Sequence, residues 1–154
     1  MKTYLEEATA ALRALNESEC KYMIIGGAAV NIHGFTRSTG DLDIWYKSSE
    51  ENLDCLFKSI DMLGYDSSEL RANKEKVKMH LTRLPIETMY IEFLPFIDRA
   101  MDFDEIYKRA ENFEVNTALT VKVISYDDLI ESKIRARRPK DLEDIAQLTR
   151  RKLL

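Results

Sequence analysis

"YMIIGGAAVNIHGFTRSTGDLDIWY", residues Tyr22 to Tyr46, runs from an apolar stretch into a Gly-Gly pair and returns to an Asp-x-Asp inside a second apolar stretch. The first stretch is too short for a helix and ends in two residues that accept any backbone angle, so it reads as a buried strand. "AAVNIHG" then reads as one or two helical turns closed by Gly34. After Thr36 to Gly40, "DLDIWY" reads as a second strand, with Leu42 and Ile44 on one face and Asp41 and Asp43 on the other. Alpha carbons two apart on a strand are separated by roughly 6.5 to 7 Å, so the two aspartates aim at one point. Two ionised carboxylates that close repel, and each loses hydration in an interior strand, unless a cation lies between them. A hard divalent ion such as Mg²⁺ removes the repulsion and keeps positions open for phosphate oxygens. The plain alternative is a strand end whose aspartates meet water. The Gly-Gly pair bears on that choice, because it lets backbone N–H groups approach a phosphate with the start of a helix behind them. As an isolated dipeptide it is a common turn, and it lacks the spacing of a dinucleotide fingerprint or a P-loop.

Outward from this stretch, "TYLEEATAALRAL" carries Leu5, Ala8, Leu12 and Leu15 at helical spacing with Glu6, Glu7 and Arg13 turned away. "SSEENLDCLFKSIDMLGY" has a Ser cap, early acids, an apolar stripe of Leu53, Leu56, Phe57, Ile60 and Leu63, and Gly64 at the stop. "KVKMHLTRL" and "TMYIEFLPFI" read as strands joined as an antiparallel hairpin near Pro85. "FDEIYKRAENF" reads as a helix, "ALTVKVIS" as a strand, and "SYDDLIESKIRARRPKDLEDIAQLTRRK" as two helices broken before Pro139. The order α-β-α-β-α-β-β-α-β-α-α, with no repeat or linker, predicts an α/β (α+β) fold: one domain over residues 1–154, with a mixed, largely antiparallel sheet flanked by helices.

The 154 residues, 45% hydrophobic and 32% charged, suffice for one core. A net charge of -4 argues against a general nucleic-acid-coating surface, so a polyanionic partner would be gripped locally. Cys20 and Cys55 have no metal-ligand spacing and read as reduced thiols. There is no membrane-length apolar run, and the acidic start "MKTYLEEATAAL" is unlike a signal peptide, so the expected location is cytoplasmic with no membrane partner.

The stretch "GGAAVNIHGFTRSTGDLDI" resembles the signature of the polymerase-β-like nucleotidyltransferase superfamily, Gly-Gly or Gly-Ser followed about a dozen residues later by Asp-x-Asp on the next strand. Its flavour is similar to the small stand-alone prokaryotic nucleotidyltransferases of toxin-antitoxin, abortive-infection and antibiotic-modifying systems. "LIESKIRARRPKDLEDIAQL" resembles a C-terminal helical segment of the same proteins. The resemblance implies transfer of a nucleoside monophosphate from an NTP to an acceptor hydroxyl of a protein, tRNA or small molecule. It implies two Mg²⁺ or Mn²⁺ ions that stabilise the attacking and leaving oxygens. Carried over by motif, Asp41 and Asp43 become metal ligands, and Gly26 and Gly27 hold the triphosphate. The second glycine is serine in many relatives, so a hydroxyl contact to phosphate is missing here. Arg37 and Lys133 become candidates for phosphate contact, against the plain readings of a solvated loop arginine and a surface lysine. His33 reads as a packing or hydrogen-bonding residue rather than a base. Arg135, Arg137, Arg138 and Lys140 form a basic patch that either balances Asp141, Glu143 and Asp144 or grips RNA or nucleotide.

The mechanism the resemblance implies needs a third carboxylate, as metal ligand or base. In "TMYIEFLPFI", Glu92 is the acid in the middle of an apolar strand, facing away from Ile91 and Phe93. If that strand pairs beside "DLDIWY", Glu92 joins the face of Asp41 and Asp43. The superfamily usually has aspartate there. Glu87 and Asp98 lie outside the pleat and are poorer candidates. A different class of function stays open: a non-catalytic antitoxin or interaction module that keeps the fold, with a toxin or antitoxin as partner.

Overall fold

The computed structural model describes residues 1–153. The chain runs α1 (Tyr4–Glu17), β1 (Tyr22–Ile25), α2 (Gly26–Ile32), β2 (Asp41–Tyr46), α3 (Glu50–Met62), α4 (Ser68–Ala72), α5 (Lys74–Val77), β3 (Thr82–Pro85), β4 (Tyr90–Leu94), α6 (Phe103–Arg109), β5 (Glu111–Asn116), β6 (Leu119–Val123), α7 (Tyr126–Ala136) and α8 (Pro139–Leu153). The strands form one six-stranded mixed sheet in the order β3-β4-β2-β1-β6-β5. The hairpin pairs β3–β4 and β5–β6 are antiparallel, as is β1–β2, whereas β2–β4 and β1–β6 are parallel. The mixed α/β fold read from the sequence is the fold observed. Among the described residues, no helix is long and apolar enough to cross a membrane.

The central strands are buried because their neighbours cover both faces. Met23, Ile24, Leu42, Ile44, Trp45, Ile91 and Phe93 are each inaccessible or nearly so, and Leu53, Leu56, Phe57 and Ile60 of α3 close over them. Leu63, expected on the same stripe, is half-buried. Ser49 caps α3 by accepting from the Asn52 N–H, as the Ser-Ser-Glu-Glu start predicts. Asn52 is itself buried and ties two strands together. Its Oδ1 accepts from Lys21 N at 2.7 Å, and its Nδ2 donates to the carbonyls of Lys21 and Lys47 at 2.9 and 2.7 Å.

Three local expectations are corrected. The helix expected through Phe113 ends at Arg109, and Glu111–Asn116 is instead the edge strand β5. Almost every β5 side chain is exposed, and its two alternating apolar residues, Phe113 and Val115, are too few to stand out directly after the helix of Phe103–Arg109. The strand expected from Lys76 begins only at Thr82, because Lys74–Val77 forms a helical turn. The K-V-K-M-H-L alternation imitates a strand period, yet of its apolar members only Val77 is buried. The helical turns α4 and α5 were not anticipated. On α1, Leu5 is exposed and Glu7 is buried, the reverse of the expected faces. The reason is a specific partner: Glu7 Oε2 accepts from Thr88 N and Oγ at 2.9 and 2.6 Å, which anchors the turn before β4.

Cys20 is buried and Cys55 half-buried, both as free thiols. Burial pushes the Cys20 thiol up to about 12.

Asn52→Ala should lower unfolding stability by about 2 to 4 kcal/mol, because Lys21 N and the Lys47 carbonyl lose their side-chain partner in a buried position, while the Lys21 carbonyl keeps the Lys47 N–H. Asn52→Asp should cost as much, since an ionised carboxylate cannot donate to the two carbonyls. Urea unfolding of both variants checks this.

Candidate active site

The register of the sheet builds a row of side chains across four strands. Ile25 of β1 pairs with Asp43 of β2, Asp43 with Glu92 of β4, and Glu92 with Arg83 of β3. Asp41 stands one pleat away beside Tyr90. Within β2 and β4 the apolar residues Leu42, Ile44, Ile91 and Phe93 are fully buried, while Asp41, Asp43 and Glu92 are half-buried on the opposite face. The structure thus brings together the three carboxylates singled out in the sequence. Asp43 and Glu92, though not Asp41, line a cleft of about 330 Å³ together with Gly26, Lys133, Arg138 and Asp141.

Gly26 follows β1 directly, with φ +64°, and a Cβ added there would lie 2.2 Å from Asp43 Oδ2. A side chain is excluded on two counts, the left-handed backbone and the aspartate pressed against it. Gly27 is crowded as well: a Cβ there would meet Thr39 Oγ1 at 2.7 Å and Arg37 Nη2 at 3.3 Å. The glycine pair therefore lets the turn after β1 close onto β2 and onto the loop that precedes it.

Asp43 is the electrostatic anomaly of the site. Burial, then the adjacent Glu92 carboxylate and the charge of Asp41, push its pKa up to about 7, with Lys140 opposing. Its Oδ1 is buried and has no hydrogen-bond partner. An orphaned carboxylate oxygen beside the Glu92 carboxylate offers the hard oxygen donors that a divalent ion such as Mg²⁺ prefers. In this conformation Glu92 Oε1 is held by Arg83, with Nε at 3.0 Å. Among the described residues, no group of three His, Cys, Asp or Glu side chains converges as a metal cage.

The two cations expected at phosphate are engaged elsewhere. Arg37 forms a bidentate pair with Asp144, through Nε at 2.8 Å and Nη2 at 3.0 Å. Lys133 is buried and lies 3.1 Å from Asp141 Oδ1 and 2.9 Å from Asp144 Oδ2. Arg138 adds bonds from N, Nε and Nη2 to the Asp141 carboxylate. Burial would raise the Asp141 acid, but these bonds outweigh it and hold its pKa below the ordinary carboxylate value. Of the expected basic patch, Arg138 balances Asp141, whereas Asp144 is paired by Arg37 and Lys133, which lie outside the patch. Arg135 instead pairs with Glu131 and Asp98. His33 Nε2 donates to Ile124 O, 2.8 Å away, and the ring packs edge-on against Tyr126, as a structural histidine does. Sequence reasoning missed Arg83 and the Asp141–Asp144 pair as the fixed centre of the network. An i, i+3 acid pair following a run of basic residues was the available signal for the second.

Comparison with known proteins gives the family and the fold. The family described as "Nucleotidyltransferase of unknown function (DUF6036)" matches residues 3–152, and the chain belongs to that family. No curated protein sequence matches the chain significantly. Among solved structures, ANT(2")-Ia in complex with adenylyl-2"-tobramycin is similar over 99% of this chain and 91% of its own, at 19% identity and a TM-score of 0.60. An antigenic nucleotidyltransferase-like protein from Paracoccidioides brasiliensis is similar over 94% of this chain and 74% of its own, at 16% identity and a TM-score of 0.56. At these identities the likeness is one of fold.

In metal-free buffer, the raised Asp43 pKa predicts a definite pH dependence. Its contribution favours the folded state below about pH 4, the unfolded value, and is lost as pH rises through about 7. Asp43→Asn should therefore gain on the order of 2 kcal/mol over the wild type at pH 8 and nothing at pH 4. Chemical denaturation with EDTA at the two pH values measures the difference.

Proposed function

We propose that this nucleotidyltransferase moves a nucleoside monophosphate from an NTP to an acceptor hydroxyl, releasing pyrophosphate, in a reaction that requires a divalent cation. The observation that carries this reading is the row Gly26, Asp43, Glu92, with its orphaned, buried Asp43 oxygen. Asp41, Asp43 and Glu92 are the residues that would hold Mg²⁺ or Mn²⁺, two ions on the resemblance drawn from the sequence. When bound, such ions polarise phosphoryl oxygens and stabilise the attacking and leaving oxygens of an in-line displacement.

The chain's own residues supply the remainder. Gly26 and Gly27 let the turn after β1 pack directly against Asp43 and Thr39, which brings its backbone N–H groups beside the carboxylates, where they would hold the triphosphate. On this reading Glu92, which is half-buried and lines the cleft, takes the proton of the acceptor hydroxyl. The acceptor oxygen bonds to the α-phosphorus, the bond from that phosphorus to the pyrophosphate oxygen breaks, and the hydroxyl proton passes to the carboxylate. Arg37 supports nucleotide binding indirectly, by fixing the loop beside Gly27 through its bond to Asp144. Lys133 fixes the Asp141 and Asp144 side of the cleft in the same way. The acceptor is a protein, a tRNA or a small hydroxyl compound. The adenylyl-2"-tobramycin in the related fold is the ground for including tobramycin itself among the acceptors tried.

Incubation with Mg²⁺, each labelled NTP and these acceptors should yield labelled acceptor and pyrophosphate, with transfer lost in Asp41→Asn and Asp43→Asn. Mn²⁺ with NTP should raise the wild-type melting temperature by mass action, and Asp43→Ala should abolish the rise. Absence of both transfer and a nucleotide-dependent thermal shift with every NTP would refute the reading.

A further inference from the structure

Arg83 has no part in the roles assigned so far, yet it terminates the carboxylate row. It lies on the edge strand β3, directly across from Glu92, and its Nε and Nη2 address the same oxygen, Oε1, at 3.0 and 2.5 Å. Its guanidinium also lies over the Tyr90 ring, 4.8 Å from the centroid. The Arg83 side chain is 54% exposed and that of Glu92 15%. The cation thus sits at the watery end of the row and the carboxylate within it.

We propose that Arg83 is the built-in counter-cation of the carboxylate row, a positioning residue that holds Glu92 Oε1 until a divalent cation competes for it, and so sets how tightly the row binds that cation. This rests on the reading of the row as a divalent-cation site. Three observations support it. Both donors of Arg83 converge on one oxygen, so the ion pair occupies the charge position that a metal using Glu92 has to share or take. Glu92 is a glutamate, and its longer side chain spans from the Asp43 side of β4 to Arg83 on the next strand. Arg83 is exposed and rests on Tyr90, so releasing Glu92 returns a guanidinium to water rather than burying it unpaired. Asp43, deeper in the row, has no such partner, and its Oδ1 is the oxygen left bare.

The test is Mn²⁺ affinity without nucleotide, by isothermal titration and by electron paramagnetic resonance of free Mn²⁺. It compares the wild type, Arg83→Gln and Arg83→Lys, each also in a Glu92→Gln background. Removing one positive charge beside the site should tighten Mn²⁺ binding about 10-fold in Arg83→Gln, and Arg83→Lys, which keeps the charge, should stay within about 3-fold of wild type. With Glu92→Gln present, the Arg83→Gln effect should shrink to under about 2-fold, because the coupling runs through that carboxylate. Arg83→Ala gives the same reading if the glutamine variant is poorly folded. Wild-type binding with no gain in Arg83→Gln overturns this inference alone, as does a gain that persists undiminished with Glu92→Gln. A wild type that binds no Mn²⁺, with or without NTP, overturns the proposed cation dependence itself, and this inference with it.

Discussion

The parallel pairing of β2 with β4 is the constraint on which the rest of the site depends. Hydrogen bonding between those strands places Asp43 opposite Glu92 and Asp41 opposite Tyr90, and the pleat turns both acids of that first pair to one face. A slip of one residue would bury the carboxylates and expose Leu42, Ile44, Ile91 and Phe93, all of which are inaccessible in the observed register. The apolar face therefore enforces a juxtaposition of like charges that the acids alone would avoid. Hydrophobic burial supplies the free energy that holds an electrostatically unfavourable arrangement in place, as expected where a fold carries local strain at a working site.

A second layer of constraint comes from the ionic cluster on α7 and α8. Lys133, Asp141 and Asp144 are almost wholly buried, and Arg37 and Arg138 close the cluster from outside. Buried charges of this kind add little net stability when complete, but deleting one partner leaves an uncompensated ion and costs about 3 to 5 kcal/mol. What the cluster adds is geometric definition. It fastens the loop between α2 and β2 to the C-terminal helices, and Asn31 Oδ1 supports the same loop by accepting from Arg37 N. Gly27, Thr39 and Arg37 are thereby kept in mutual contact.

The central architecture was legible because its signals are periodic. Alternation in "DLDIWY" and "YIEFL" separates carboxylates from core, the stripe and Ser cap of α3 announce a helix, and Pro139 marks the break between α7 and α8. The presence of Asp41, Asp43 and Glu92 on one sheet face followed from the same alternation, granted that the two strands pair. What stayed hidden depends on partners distant in sequence. Glu7 looks like a solvated helix residue until Thr88 is known to meet it, and Lys133 looks like a surface lysine until Asp141 and Asp144 fold over it. Arg83 lies in a short polar edge strand where no pattern distinguishes it from its neighbours. β5 escaped notice for the same reason: exposed on almost every position, it is defined by its backbone ladder with β6 and not by its side chains.

The tie between Arg37 and Asp144 also bears on how the molecule matures. The glycine turn and the aspartates are synthesised early, within the first 43 residues, whereas the carboxylate that pins their loop arrives a further 101 positions along the chain. A nascent polypeptide can form the β1–β2 pair before α8 exists, but its cleft has no fixed wall on that side until α8 docks. The wall of the cleft on that side is thus set by a segment made long after the acids it faces, so the order of synthesis is also the order in which the pocket is assembled.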